Sequence, residues 1–284
     1  MDAVQARPLI DLTGQVVLVT GAGRGLGAAY ARLLAEHGAT LAVHDAGVEP
    51  DGSGRDPRPA QEVAQALRDR GATATVHVQD LAERAGCESL IAAVLAEHDQ
   101  VDAVVHNAGI VRYHRIAETP VEEYERIMAI NADAAWWLCR AVWPHMVARR
   151  YGRIVLTTSG YALRAVPGAD VAAYSVSKGA QSGLVNALAG EGVEHGILVN
   201  AISPVAATRI FRASVGPGEL TPEAVAPGVV ALVSGACPLS GTVIAAADGK
   251  WSVLQLSPRG EVQLGQHATP EDVLAWALSL GVEG

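Results

Sequence analysis

The sequence predicts an α/β fold in which a parallel sheet of seven strands is doubly wound, with helices on both faces. Three observations predict it. Short apolar, β-branched runs alternate with longer helical stretches along most of the chain. The first of these runs stops at a glycine-rich turn that opens a helix. Half of the 284 residues are hydrophobic and only 18% are charged, which is enough apolar material for a sheet buried on both sides.

The length fits one domain of generous size, taken as residues 1–249, with residues 250–284 as an extension packed on the same domain. Aromatics make up 4% of the chain, so Ala, Val, Leu and Ile must build the core. A net charge of −9 argues against a nucleic-acid footprint and against a polybasic membrane patch. Cys87, Cys139 and Cys237 are odd in number and widely spaced; they form neither a disulfide framework nor a zinc pattern and fit a reducing, cytoplasmic setting. Residues 1–8 lack an apolar signal core, and no stretch is long and apolar enough for a membrane span.

Taken in order, residues 15–20 (Gln15-Val16-Val17-Leu18-Val19-Thr20) read as a buried parallel strand. Gly21-Ala22-Gly23-Arg24-Gly25-Leu26-Gly27 then leads into an Ala-rich helix over 28–37 that Gly38 ends. Strand, glycine turn and helix N-terminus together build a phosphate site: glycines let the backbone approach a pyrophosphate, and the helix offers free N–H groups. A second strand, 40–44, ends at Asp45. An acid there accepts hydrogen bonds from the adenosine ribose and repels a 2′-phosphate, favouring NAD over NADP. Arg24 pulls the other way, because an arginine in this turn can pair with that phosphate. NAD is therefore the expected cofactor, with NADP left open.

Residues 46–59 are rich in Gly, Pro and Asp and longer than an ordinary βα turn. They lie over the adenosine end or form a solvated insertion. A helix over 60–70, a strand near 75–78, Asp80 and Leu81 at its end, and a helix over 83–97 follow. The strand at 101–105 delivers His106-Asn107-Ala108-Gly109. In such a sheet ligands bind at the carboxyl ends of the strands, where Asp80, Asn107, Ala108 and Gly109 fall, although each alone is an ordinary turn former. Residues 120–149 read as one long helix with Asn131 in its middle. Asparagine is an indifferent helix former, so among apolar neighbours it wants a polar partner, unless it simply faces water.

The strand at 153–158 delivers Ser159, fifteen residues before Tyr174. Tyr174 and Lys178 share one face of the helix that runs to about 194. An ammonium beside a phenol favours the phenolate and draws its pKa down from about 10 toward the useful range. Alone, this spacing also describes a core tyrosine beside a lysine. A strand at 197–202, a segment at 205–220 that looks like a mobile lid, a helix at 222–234 and a strand at 242–246 complete the sheet. Beyond it, 253–256 and 261–264 alternate around Ser257-Pro258-Arg259-Gly260 as a hairpin, and Thr269-Pro270 opens a last helix. Nine histidines are scattered singly and read as surface or core fillers. HExxH, CxxC, GxSxG and GxxxxGK[ST] are all absent.

Thr20-Gly21-Ala22-Gly23-Arg24-Gly25-Leu26-Gly27, Asn107-Ala108-Gly109, Asn131, Ser159 and Tyr174…Lys178, in that order, strongly resemble the short-chain dehydrogenase/reductase family over residues 9–250. The resemblance implies a Rossmann-type fold and hydride exchange between a secondary alcohol or ketone and a nicotinamide dinucleotide. It implies that Tyr174 gives or takes the hydroxyl proton, that Lys178 lowers its pKa and bonds the nicotinamide ribose, and that Ser159 holds the substrate oxygen. Asn131 would anchor a water in a relay with Lys178, and Pro204, Val205 and Thr208 would border the nicotinamide.

The loop after Asp45 and the tail at Gly249-Lys250-Trp251 are similar to the branch that includes the (3R)-hydroxyacyl-CoA dehydrogenase part of peroxisomal multifunctional enzyme type 2. Relatives there act on 3-hydroxyacyl-CoA or steroid alcohols. An acyl-CoA would want cations, for which Arg112, Arg115, Arg209 and Arg212 are candidates. A steroid or terpenoid alcohol would want an apolar wall, offered by Tyr161, Leu163, Val166 and Ile210. Two departures stand out: Pro204-Val205 where Pro-Gly is usual, and about two extra residues near Ala169-Asp170-Val171. A homodimer or homotetramer is expected by resemblance, through helices 120–149 and 171–194. The competing readings are a dinucleotide-sensing protein without catalysis and an extended-branch epimerase or dehydratase, which the TGxxxGxG spacing disfavours.

Overall fold

In a computed structural model, which describes residues 10–49, 53–208, 216, 218–254 and 260–280, the alternation of the sequence becomes one sheet. Its strands are β1 (Val16–Thr20), β2 (Thr40–His44), β3 (Ala74–His77), β4 (Ala103–His106), β5 (Gly152–Thr157), β6 (Ile197–Val205), β7 (Val243–Ala247) and β8 (Lys250–Leu254). They lie in the order β3-β2-β1-β4-β5-β6-β7-β8. The seven expected parallel strands are there, and β8 adds an antiparallel eighth. The chain leaves β1 in one direction and returns at β4 to build in the other. The carboxyl ends of those two strands therefore frame the crevice where such sheets bind ligands.

Side chains alternate across each strand and so feed two cores. Val17, Val19, Leu41 and Val43 pack on one side with helices α1 (Gly25–Glu36), α2 (Arg58–Arg68) and, further along, α7 (Ala226–Val233). Val16, Leu18 and Ala42 face the other way, toward α3 (Arg84–His98), α5 (Ala134–Arg149) and α6 (Ala172–Gly192). Strands buried on both faces explain why the sequence shows continuous apolar runs rather than alternation.

Three expectations change. The single helix over 120–149 is divided: α4 (Val121–Ile127) passes through a π-helical turn, Met128–Asp133, before α5 begins. The strand expected to stop at 202 continues through Pro204 to Val205. Pairing with β5 ends at Ile202 while pairing with β7 runs on to Val205, so Pro204 has an open side and its missing N–H breaks no ladder. The hairpin lies elsewhere: β7 turns into β8 through Asp248 and Gly249, both at positive φ, as a two-residue type I′ turn requires. Residues 261–264 form no strand, and 255–259 lie outside the described residues, as do 209–215 and 217 of the expected lid.

Compact units divide at Leu254, so the second begins at Gln255, a few residues beyond the boundary expected at 249. Within it, α8 (Pro270–Ser279) starts as expected, with a capping box between Thr269 and Asp272 and Pro270 in the first turn. Trp276 Nε1 donates to the Gly260 carbonyl at 2.7 Å.

Candidate active site

The glycine turn leaves β1 and enters α1 with almost no room to spare. A Cβ on Gly27 would strike the Gly21 carbonyl and come within 2.7 Å of Asn107 Nδ2. That amide in turn donates to the carbonyls of Thr20 and Gly21, at 3.3 and 3.1 Å, and so sews the end of β4 to the glycine turn. Between these strand ends opens a cleft lined by Gly21, Arg24, Gly25, Leu26, Asp45, Asp80, Leu81, Asn107, Ala108, Gly109 and Thr208, all expected from sequence. Gly23 and Gly27 lie behind its wall. Pro204 and Val205 sit on β6, outside that lining.

Both acids at the adenosine end have structural partners. Asp45 Oδ2 accepts from the Gly23 N–H at 2.9 Å and Oδ1 from the Gly47 N–H at 2.8 Å. A carboxylate has about four acceptor sites, so capacity is left toward the cleft. Asp80 accepts from the Ala82 N–H at 3.0 Å and is also clasped by the Arg55 guanidinium. The Gly/Pro-rich loop therefore borders the cleft: Ala46 and Val48 line it and Arg55 reaches Asp80.

At the other end, the π turn presents Asn131, fully buried, to the chain beyond Gly109. Its Oδ1 accepts from the Ile110 N–H at 2.9 Å, and its Nδ2 donates to the Ile110 carbonyl at 2.9 Å and to Ser177 Oγ at 3.0 Å. Its own carbonyl accepts from Gln181 Nε2 at 2.6 Å. The side chain is thus committed to backbone and α6. Lys178, 3% exposed, reaches under α6 to donate to the Thr157 carbonyl at 2.7 Å, and its Nζ lies 5.7 Å from the centre of the Tyr174 ring. A Cβ on Gly109 would meet Asn131 Oδ1 at 3.0 Å and Lys178 Nζ at 3.4 Å, so turn, amide and ammonium converge there.

Ser159 caps a short 3₁₀ turn, accepting from the Tyr161 N–H at 3.3 Å. Burial pushes the Tyr174 phenol up to about 12, partly opposed by a hydrogen bond with Ser159. Burial also pushes the Lys178 ammonium down to about 7. Burial thus opposes charge on both groups in the ligand-free arrangement, in the direction opposite to the drop that spacing alone suggests for the phenol.

The residues present fit a dinucleotide. Gly21 and Gly27 form a cradle that a Cβ would fill. Among the described residues the Lys178 ammonium has one hydrogen-bond acceptor for three N–H groups, leaving donors for ribose hydroxyls. Sequence reasoning missed several residues here. Ile110 and Ile130 line the cleft but carry no signal beyond being apolar, and Arg126 lines it from α4. Gln181 shares the Tyr174–Lys178 helix, and it meets the main-chain carbonyl of Asn131, a contact that the identity of residue 131 does not signal. Thr20, His44 and His106 stand side by side at the strand ends, and nothing in their spacing along the sequence signals that they meet. Arg209, Ile210 and Arg212 lie outside the described residues.

Comparison with known proteins agrees with this geometry. A family model described as short chain dehydrogenase matches residues 15–214. A putative short-chain type dehydrogenase/reductase of Mycobacterium tuberculosis is 34% identical over 93% of either chain. The mouse peroxisomal multifunctional enzyme type 2 is 37% identical over 80% of this chain, which spans only 31% of that protein. The crystal structure of a short chain dehydrogenase from Mycobacterium avium superposes with a TM-score of 0.82 at 31% identity, covering 95% of both chains. No helix among the described residues is long and apolar enough to cross a membrane. With the glycine turn, the strand-end residues and the Ser-Tyr-Lys arrangement all inside the matched region, the chain belongs to the short-chain dehydrogenase family and is an oxidoreductase acting on CH–OH groups.

Proposed function

We propose that the protein interconverts a secondary alcohol and a ketone carried on a 3-hydroxyacyl thioester of coenzyme A, with NAD preferred over NADP. The observation that carries the chemistry is the Tyr174 phenol, hydrogen-bonded to Ser159 and flanked by the Lys178 ammonium, which in turn approaches Gly109 in the lining of the cleft. When bound, the nicotinamide exchanges a hydride with the carbinol carbon. Tyr174 moves the hydroxyl proton, Ser159 holds the substrate oxygen, and Lys178 holds the ribose and favours the phenolate once its own charge is solvated by those hydroxyls. Asn131 keeps the floor of the site in place through Ile110 and α6. Asp45, with acceptor capacity left toward the cleft, supports NAD.

For the substrate, support comes from the similarity to peroxisomal multifunctional enzyme type 2. Arg112 and Arg115, the described cationic candidates, already face carboxylates, Glu123 at 3.9 Å and Asp170 at 3.8 Å, so an acyl-CoA would have to compete for them. Exposed Trp136 on α5 and Val176 on α6 support a homodimer or homotetramer through these helices. The test is dinucleotide oxidation measured with a panel of 3-oxoacyl-CoA chain lengths beside steroid and terpenoid ketones, with NADH and NADPH in turn. Faster turnover of steroid or terpenoid ketones would overturn the thioester reading. Dinucleotide binding with no turnover of any ketone would make this a sensing protein.

A further inference from the structure

Three strands end at the crevice on histidine or threonine. His44, Thr20 and His106 stand in register across β2, β1 and β4, all buried. The hydrogen bonds around Thr20 fix where its proton goes. Thr20 Oγ1 accepts from the Asn107 N–H at 3.1 Å and from the Ala108 N–H at 3.1 Å, which fills its two acceptor sites. Its own hydrogen is left for His106 Nδ1, 3.0 Å away. Nδ1 must then be unprotonated, and the ring carries its proton on Nε2.

Counting orphans supports the same tautomer. With the proton on Nε2, one buried group lacks a partner, the Nε2–H itself. With the proton on Nδ1, two would lack one, the Nε2 lone pair and the Thr20 hydroxyl hydrogen, and Thr20 Oγ1 would face three N–H donors. A doubly protonated ring has the same clash at Nδ1. Burial, with Lys178 nearby, holds the imidazole neutral down to about 3.

We infer that His106 is a positioning residue: as a neutral imidazole accepting the Thr20 hydroxyl at Nδ1, it locks the Asn107 and Ala108 amides that line the dinucleotide cleft. The role rests on the dinucleotide reading of that cleft; the tautomer does not. Since Asn107 also ties to the Gly21 carbonyl, both the glycine turn and the turn after β4 depend on one hydroxyl whose direction His106 sets. The chemistry needs an acceptor at this point and not a titrating group.

Nitrogen-15 NMR of the ligand-free protein labelled at histidine, with His106→Asn to assign the resonance, reads the tautomer directly. At about pH 7 it should show an unprotonated Nδ1, and Thr20→Val should shift that resonance. Calorimetric binding of NADH and NADPH then tests the role. His106→Leu, which keeps bulk but offers no acceptor, should weaken binding of the preferred dinucleotide about tenfold. His106→Asn, which restores an acceptor, should bind within about twofold of wild type. A protonated Nδ1, or wild-type affinity in His106→Leu, overturns the inference. If the wild-type protein binds neither dinucleotide, the proposed function fails and the positioning role with it, while the NMR result still decides the tautomer.

Discussion

Replacing Asn131 by Ala removes an amide that does three things at once inside the protein. It fills both backbone groups of Ile110, at 2.9 Å each, and donates to Ser177 Oγ at 3.0 Å. Ser177 keeps its own bond to the Tyr174 carbonyl at 2.8 Å, so its loss is small. Ile110 is buried, and its N–H and C=O lose this partner. Each orphaned buried group costs about 1–3 kcal/mol, so the variant should lose roughly 2–6 kcal/mol. Alanine's better helix propensity offsets only about 0.5 kcal/mol of that, in a turn that is π-helical already. At about 2–4 °C per kcal/mol for a chain of this size, the melting midpoint should fall by at least about 3 °C. Scanning calorimetry and urea unfolding measure it, alongside the Kd for NADH taken where the variant is folded. A midpoint within about 1 °C of wild type would refute the reasoning, because it would mean that Ile110 finds other partners and that Asn131 is no strut.

The remaining predictions concern charge and the proton. Tyr174→Phe should lower kcat at least about a hundredfold while leaving the Kd for NADH within a few-fold; a smaller loss removes the phenol from its role as acid and base. Asp45→Asn keeps an acceptor for one of the Gly23 and Gly47 amides but drops the charge, so the ratio of kcat/KM for NADH over NADPH should fall. If the wild-type enzyme already prefers NADPH, Arg24 outweighs Asp45. Lys178 has a folded pKa near 7 against an ordinary 10.5, so between those values the unfolded chain binds more protons. Stability of the ligand-free protein should therefore rise with pH across that window. Lys178→Met should flatten the rise below about pH 10, where the Tyr174 phenol is still protonated in both states. Urea midpoints measured at stepped pH check this, and an unchanged slope in the variant counts against it.

The strands were legible because burial on both faces leaves a signal that needs no knowledge of neighbours. Val16 to Thr20 and Thr40 to His44 are apolar runs wherever they pair. Ends were harder, because they depend on what lies alongside. Pro204 reads as a strand breaker until the sheet shows that one side of β6 is open there. The β7–β8 hairpin had a local signal, Asp248-Gly249, which was passed over for a longer loop whose flanks merely alternate. The mid-helix Asn131 drew attention for the right reason, a polar group wanting a partner. Its partners are a backbone unit 21 residues earlier and α6, and spacing alone cannot give these.

The same physics separates what the sequence says about the reaction from what it says about the substrate. In the function proposed above, proton transfer needs groups that one strand end and one helix can set by local spacing, as with Ser159 and the pair four residues apart on α6. The proposed substrate wall would be made otherwise. Where extra residues are expected before α6, Val171 forms a parallel bridge with His114, and Asp170, left-handed at φ 50°, lies 3.8 Å from Arg115. This holds the stretch with Arg112, Tyr113 and His114 against the insertion, across more than fifty residues of sequence. Tyr113, next to His114, also acts electrostatically on the Tyr174 phenol, as does Tyr161. A change of one or two residues in the insertion can therefore re-aim the mouth and leave the Ser159, Tyr174 and Lys178 geometry untouched.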